Sequence, residues 1–464
     1  MTELALDPTE RTRPSGRTFF GEPIGLAYLS FTEAWERFSY YGMTALLVLY
    51  MTQALFMPGH VENIAGFAAL RHALESVFGP MTTLALASQI YGLYTGFVYF
   101  TPVFGGLIAD RLIGRKIAVA IGAVLMSAGH IAMAFDASFL LALLLLITGC
   151  GLLKGNISSQ VGALYAEDDA NGRTRGFSIF SMGINVGAVA GPLVCGLLAQ
   201  RYGWHVGFGL AGVLMLMGLV TYLAGYHTLV EPPPSAVRAE ARASDGATNW
   251  RVVATLIAVM ALTIFHSIGY YENSNIGLVW INQHVDLDLF GFQVPVAWFN
   301  SIDPFVSIVF VPILIALWKW QDAHGGEPRE IMKISIGAFM ACAANVVLFI
   351  GCTISDRVSV LYPIAYDFLL GVAFLYYWPT LLALVSRAAP PGLKATLMGV
   401  VFLTLFIANI FVGWIGGIYE HVGPAKFWAI EASIAATGGV LALLLNKPLT
   451  RQLERGTGTG SSHG

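Results

Sequence analysis

Three charged residues fall within five positions of an otherwise apolar stretch: Glu33, Glu36 and Arg37. Their i, i+3, i+4 spacing puts them on one face of a helix. Tyr40 and Thr44 extend that face, and Tyr41 lies beside it. A charge at the centre of a bilayer costs about 2.5–3.5 kcal/mol on insertion scales, so the three need one another, water or a further polar partner. Two roles fit: a structural ion-pair cluster that ties helices together, or a proton or substrate site in a transport pathway. Carboxylates beside a guanidinium suit the second. Burial favours the neutral acid and the neighbouring cation favours the carboxylate, so a small movement switches the protonation state.

Other polar residues interrupt apolar runs. Lys154, in Ile147-Thr-Gly-Cys-Gly-Leu-Leu-Lys154-Gly-Asn156, is too deep in its segment to be explained by snorkelling. Asn185 and Asn300 are amides able to donate to and accept from a peptide bond. Glu272, Asp303 and Asp367 are acids within later segments, and Glu431 in the last segment reads as peripheral. His130 and His266 read as satisfied polar residues rather than proton sites. Cys150, Cys195, Cys342 and Cys352 lie in apolar segments without metal-site spacing, which points to core thiols rather than disulfides or ligands.

The elements that position these residues are long. Of 464 residues 56% are hydrophobic and 11% charged, against about 25% charged in a soluble domain, so the chain is a polytopic membrane protein. Twelve segments of bilayer-crossing length are expected at 24–53, 83–109, 115–135, 139–165, 175–200, 205–228, 250–281, 293–320, 330–352, 357–388, 392–421 and 424–447. Such continuous apolar runs exclude transmembrane strands. Of the 25 Lys and Arg, two (Arg37, Lys154) fall inside spans and four (Arg71, Arg201, Arg357, Lys426) in loops on one side. The other 19 flank the opposite side, which also carries both termini, and this places the termini in the cytoplasm. No apolar signal-peptide core precedes the first span. The polar, proline-bearing stretch 229–249 reads as a cytoplasmic linker between two six-helix halves. The expected organisation is therefore an N-terminal segment 1–23, helical halves 24–228 and 250–447 about that linker, and a flexible tail 448–464. In the loop after the second span, Gly105 permits close packing and Gly114 a tight turn, while Asp110, Arg111, Arg115 and Lys116 can bridge helix ends.

Several of these motifs resemble one family. Glu33-x-x-Glu36-Arg37-Phe-Ser-Tyr40-Tyr41-Gly42 is similar to the opening signature of proton-dependent oligopeptide transporters, a branch of the major facilitator superfamily. Phe180-Ser-Met-Gly-Ile-Asn185-Val-Gly187 and Trp298-Phe-Asn300-Ser-Ile-Asp303-Pro304 resemble two further signatures, with Ser181, Asn300 and Asp303 as substitutions. The loop 105–116 resembles the superfamily's gating loop, which assigns Gly105, Asp110, Arg111, Gly114 and Arg115 to gating. The resemblance implies that Lys154 contributes to substrate binding and proton coupling, and that Tyr40, Tyr41 and Tyr99 line the site. Thr44 and Phe374 replace an arginine and a glutamate that usually complete two inter-half ion pairs, leaving Glu272 and Lys154 without their usual partners. Lys154 is expected to find Glu272, Asp303 or the Glu33/Glu36 cluster instead. The linker is too short for the two extra helices of many bacterial relatives.

The fold expected is an all-α polytopic membrane protein, twelve transmembrane helices in two six-helix halves. The function expected is a proton-coupled symporter importing di- and tripeptides by alternating access in the inner membrane. Its binding groups would be Arg37 and Lys154 for the peptide carboxylate, Glu272 and Asp303 for the amine, and Asn185 and Asn300 for the backbone. Glu33 and Glu36 would exchange protons while Arg37 changes partners. The alternative is a facilitator carrying nitrate or another small organic anion. Enzyme chemistry is not indicated: no nucleophile–base arrangement, phosphate loop or metal cluster is present. No cofactor or metal is expected, nor any nucleic-acid partner. The expected partners are small peptides, protons and the lipid bilayer, and the chain is expected to act as a monomer.

Overall fold

The computed structural model describes residues 18–166, 169–230, 249–390 and 393–457. The helices are α1 (Ile24–Tyr50), a short α2 (Phe67–Phe78), α3 (Thr83–Ile108), α4 (Arg115–Ala132), α5 (Phe139–Ala163), α6 (Ala170–Tyr202) and α7 (Trp204–Gly225). After the linker come α8 (Trp250–Tyr271), α9 (Ile276–His284), α10 (Ile302–His324), α11 (Glu330–Ile354), α12 (Leu361–Ala388), α13 (Lys394–Gly416) and α14 (Pro424–Thr457). Among the described residues, eleven helical segments are long and apolar enough to cross a bilayer. The twelfth span is α1, whose Glu33, Glu36 and Arg37 lower its hydropathy while its length of 27 residues suffices. Helices α1 and α3–α7 pack on one another as the first half, and α8–α14 form the second.

Two expectations need correction. The seventh span is not one helix. It breaks at Glu272–Ser274, a single 3-10 turn, and restarts at Ile276 after Asn275, whose φ and ψ are −112° and −105°. The break is supported from within, because the Glu272 Oε2 atom accepts from the Ile276 backbone N–H (3.4 Å) and from Asn275 Nδ2 (3.2 Å). A discontinuous helix is tolerated at membrane depth when its freed backbone groups find such partners. The tail also starts later than residue 448. Helix α14 continues to Thr457 with Leu449 and Leu453 buried, and Thr255 Oγ1 donates to Gln452 Oε1 (2.8 Å). Residues 1–17, 231–248 and 458–464, which include most of the expected N-terminal segment and linker, lie outside the described residues. Helix α2 was not expected. It is anchored on the far side of the bilayer from the termini by Phe67 against Phe56, with ring centroids 4.9 Å apart.

The halves meet on that far side. Ser88 Oγ donates to the Gly413 carbonyl (3.0 Å), Trp298 Nε1 to the Leu193 carbonyl (2.8 Å) and Ser301 Oγ to the Val189 carbonyl (2.8 Å). Thr82 and Glu420 are hydrogen-bonded at the rim. Helices α3 and α13 approach so closely that a Cβ on Gly92 would stand 2.7 Å from Gly413 Cα. Further toward the termini the seam continues through Thr95 Oγ1 donating to Asn409 Oδ1 (2.8 Å) and the stacked Phe100 and Phe406 rings. The hydrogen bonds described between the halves therefore gather on the far side.

Candidate functional site

The apolar, largely β-branch-free sequence of α1 carries its charged face through the middle of the membrane region, and α3, α5 and α6 surround it. Glu33, Glu36 and Arg37 are all buried. Arg37 Nη2 donates to Glu36 Oε1 (2.6 Å), and its Nε pairs with Glu36 Oε2 and lies 3.2 Å from Glu33 Oε1. The guanidinium also sits over the Tyr40 ring (5.1 Å) and is within electrostatic reach of Tyr41. Two carboxylates around one guanidinium carry a net negative charge, and a second cation lies within electrostatic reach. Lys154, held by α5, interacts with Glu33, Glu36 and Arg37. Its Nζ is 4.5 Å above the Tyr99 ring, a cation–π contact. With Lys154 the cluster is formally neutral, which lowers the cost of burying it.

Tyrosines carry the site across to the second half. The Tyr271 hydroxyl donates to the Tyr99 hydroxyl (3.2 Å), and Tyr41 is within electrostatic reach of Asp303. Asp303 is buried at the start of α10 and accepts a hydrogen bond from the Tyr270 hydroxyl. Asn300, in the turn leading to α10, donates from Nδ2 to Ser274 Oγ (3.1 Å), while its Oδ1 has no partner. Asn185 on α6 is half-buried and makes no hydrogen bond. Tyr41, Tyr99, Lys154, Asn185, Tyr271 and Asn300 remain partly exposed. The structure thus brings together Glu33, Glu36, Arg37, Tyr40, Tyr41, Tyr99 and Lys154, with Asp303 opposite.

Glu272 stands apart. Its carboxylate is fully buried and turned toward Asn275 and Glu431, so it does not meet Lys154. Asp303 is likewise engaged by Tyr270, which leaves the Glu33/Glu36 cluster as the acidic neighbourhood of Lys154. Thr44 turns its hydroxyl back onto its own helix, donating to the Tyr40 carbonyl (2.9 Å), and Phe374 stacks on Tyr270 (5.6 Å). Neither position supplies a charge, and this is the physical reason that the two inter-half ion pairs are absent. Glu431 is not peripheral: it is 0% exposed and neither carboxylate oxygen has a partner. His130 and His266 are buried with both ring nitrogens unpartnered, so they are not satisfied polar residues. Sequence reasoning missed Tyr270, Tyr271, Ser274 and Asn275. For Glu431 a signal was available, since an ionisable residue two turns inside a span is a functional candidate by default. In the loop after α3, Arg115 Nε pairs with Asp110 Oδ1 (3.0 Å) and Gly114 has φ 80°. A Cβ on Gly105 would collide with the backbone of Gly151, and Arg111 is exposed.

The PTR2 family model, described as the POT family, matches residues 116–241 and 237–428. The chain is 28% identical to the "Uncharacterized transporter YclF" of Bacillus subtilis (strain 168), over 94% of this chain and 96% of that one. It is 27% identical to the "Di-/tripeptide transporter" of Lactococcus lactis subsp. cremoris, over 94% and 97% of the two chains. Among solved structures, a mutant of a "peptide transporter POT" in complex with alafosfalin superposes with a TM-score of 0.80. The two chains are 28% identical, and 94% of this chain and 97% of the other are covered.

Proposed function

Because the chain belongs to the POT family of membrane transporters, we propose that it is a proton-coupled symporter importing di- and tripeptides by alternating access. It is a multi-pass membrane protein and not an enzyme. The inner membrane, with both termini cytoplasmic, is the setting that the distribution of Lys and Arg supports. On that reading the structure is the inward-open form, and a monomer contains the whole site.

One observation carries the substrate assignment: the cations of the site stand in the first half, and an acid with no described cation acting on it stands in the second. The cations Arg37, which is buried, and Lys154, which is partly exposed, belong to the first half. Across the cavity the second half presents the carboxyl of Asp303 and the amide of Asn300. A zwitterionic peptide fits this polarity, with its carboxylate toward Arg37 and Lys154 and its amine toward Asp303. Asn185 and the unpartnered Asn300 Oδ1 serve the peptide bond, because a polar backbone entering a dry site needs such partners. Tyr40, Tyr41 and Tyr99 provide a wall that tolerates varied side chains. Glu272, buried away from this wall, is not a contact for the amine. For coupling, Glu33 and Glu36 exchange protons, and Arg37 trades partners as their charge changes. The paired Arg115 and Asp110, with Gly105 and Gly114, form the hinge loop on the cytoplasmic rim.

Competition for uptake tests this polarity. Dialanine is expected to compete with labelled peptide, whereas N-acetylated dialanine, dialanine amide and nitrate are expected to compete poorly. Equal competition by nitrate or an organic acid would overturn the peptide reading in favour of an anion carrier.

A further inference from the structure

A second polar site lies inside the second half, outside the cavity. Glu272 Oε1, both carboxylate oxygens of Glu431, the Tyr366 hydroxyl, Trp428 Nε1 and Asn275 Oδ1 are all buried without a hydrogen-bond partner. All five residues are 0% exposed. They are neighbours. Tyr366 on α12 packs against Trp428 on α14 (5.7 Å between centroids), and its hydroxyl is within electrostatic reach of both Glu272 and Glu431. Glu431 acts on Glu272, and no cation acts on either. The other titratable groups nearby do not supply one. Asp367 on α12 and Asp303 on α10 are acids. His266 on α8 contacts the rings of Tyr270 and Tyr377, and Lys426 on α14 lines an outer surface depression with Phe265 and Ala429.

Two ionised carboxylates do not share a dry pocket without a cation. Undonated hydroxyl and indole hydrogens beside them make a polar chamber of the kind that retains a proton and water. We propose that Glu431 shares one proton with Glu272, forming a carboxyl pair whose charge state is transmitted to the far gate. The transmission path is a chain of hydrogen bonds. Glu272 Oε2 accepts from Asn275 Nδ2, Asn275 Nδ2 also donates to Ser88 Oγ across the halves (2.7 Å), and Ser88 donates to the Gly413 carbonyl. With one proton on the pair, Glu272 holds Asn275 in place and the gate stays shut. Loss of that proton to water leaves two negative charges in one pocket. Glu272 then draws in water and Asn275 parts from Ser88. The proton enters from far-side water when the gate is open. It leaves to cavity water past Tyr91, which is within electrostatic reach of Glu272 and approaches Ser274.

This inference rests on the symporter reading for its consequence but not for its chemistry, and the test separates the two. Infrared difference spectra of the full chain in lipid, titrated with pH without substrate, are expected to show a neutral carboxylic-acid band. That band should titrate at a displaced pH in Glu431→Gln, which leaves Glu272 alone with the proton, and keep its wild-type titration in Glu431→Asp. In proteoliposomes Glu431→Gln is expected to lower proton-driven peptide accumulation about tenfold, the effect of one pH unit of misplaced proton affinity, and to flatten its pH profile. Peptide counterflow should persist, and Glu431→Asp should keep the pH dependence. A displaced titration with intact counterflow supports the pair. Identical spectra and pH profiles for wild type and Glu431→Gln, or identical behaviour of the Gln and Asp variants, would overturn it. Absence of any peptide movement by wild type would sink the symporter reading while leaving the infrared result to decide the carboxyl pair.

Discussion

Lys154 has no carboxylate within ion-pair distance, and its ammonium rests on Tyr99 instead. A cation held by an aromatic face and a distant acidic cluster is free to accept a carboxylate from a ligand. Truncating one partner of a buried charge cluster costs about 2–5 kcal/mol, so Lys154→Ala is expected to reduce peptide uptake by at least tenfold, chiefly through KM. Unchanged KM for dialanine would remove Lys154 from the binding site. Glu36 differs, because both its oxygens face Arg37. Glu36→Gln should lower proton-driven accumulation while counterflow survives, and accumulation equal to wild type would exclude it from coupling. For Asp303→Asn the expected change is selective: free dipeptide loses affinity while the N-acetylated form does not. A parallel loss for both would make Asp303 structural. The sequence identified these residues because a charge within an apolar run demands an explanation. It left the partner of Lys154 open, because spacing along one helix says nothing of which acid another helix turns toward it.

At the scale of elements, the spans were legible from apolar length. The break between α8 and α9 was not. Tyr271-Glu-Asn-Ser-Asn275 has no proline or glycine to announce it, and the turn is held by Glu272 reaching Ile276, a tertiary and capping effect. Nor could the sequence show that the last helix runs through Pro448, since that extension is secured by docking of Leu449 and Leu453. The seam between α3 and α13 gives the clearest element-scale prediction. Gly92 touches Gly413 because neither carries a side chain. Gly92→Leu should leave the protein folded, as judged by monodisperse gel filtration, but prevent far-side closure and abolish uptake. Wild-type uptake by this variant would mean that the seam is not a gate.

Across the whole molecule, charge is divided by half. The first half buries Glu33 and Glu36 with Arg37, and Lys154 lies partly exposed beside them. The second buries Glu272, Asp303, Asp367 and Glu431, and the bases among its described buried residues are His266 and Lys333, the latter paired with Glu327 at the terminal end of α11. An unfilled second half therefore favours protons or a ligand amine, and the first favours a carboxylate. Binding a zwitterion across the cavity links the halves electrostatically, while the far gate joins them through neutral hydrogen bonds. That division was half visible in the sequence: every acid could be numbered, but Glu431 was assigned to the periphery because the rotational setting of α14 is fixed by tertiary packing, including that of Trp428 against Trp280 and Tyr366. The central claim is that protons and peptides cross together. Its most direct test is proton entry into dye-loaded proteoliposomes held at an inside-negative potential. The account predicts acidification on adding dialanine or trialanine, none on adding nitrate, and loss of the response in Lys154→Ala. Peptide uptake without proton entry, or proton entry driven by nitrate alone, would contradict it.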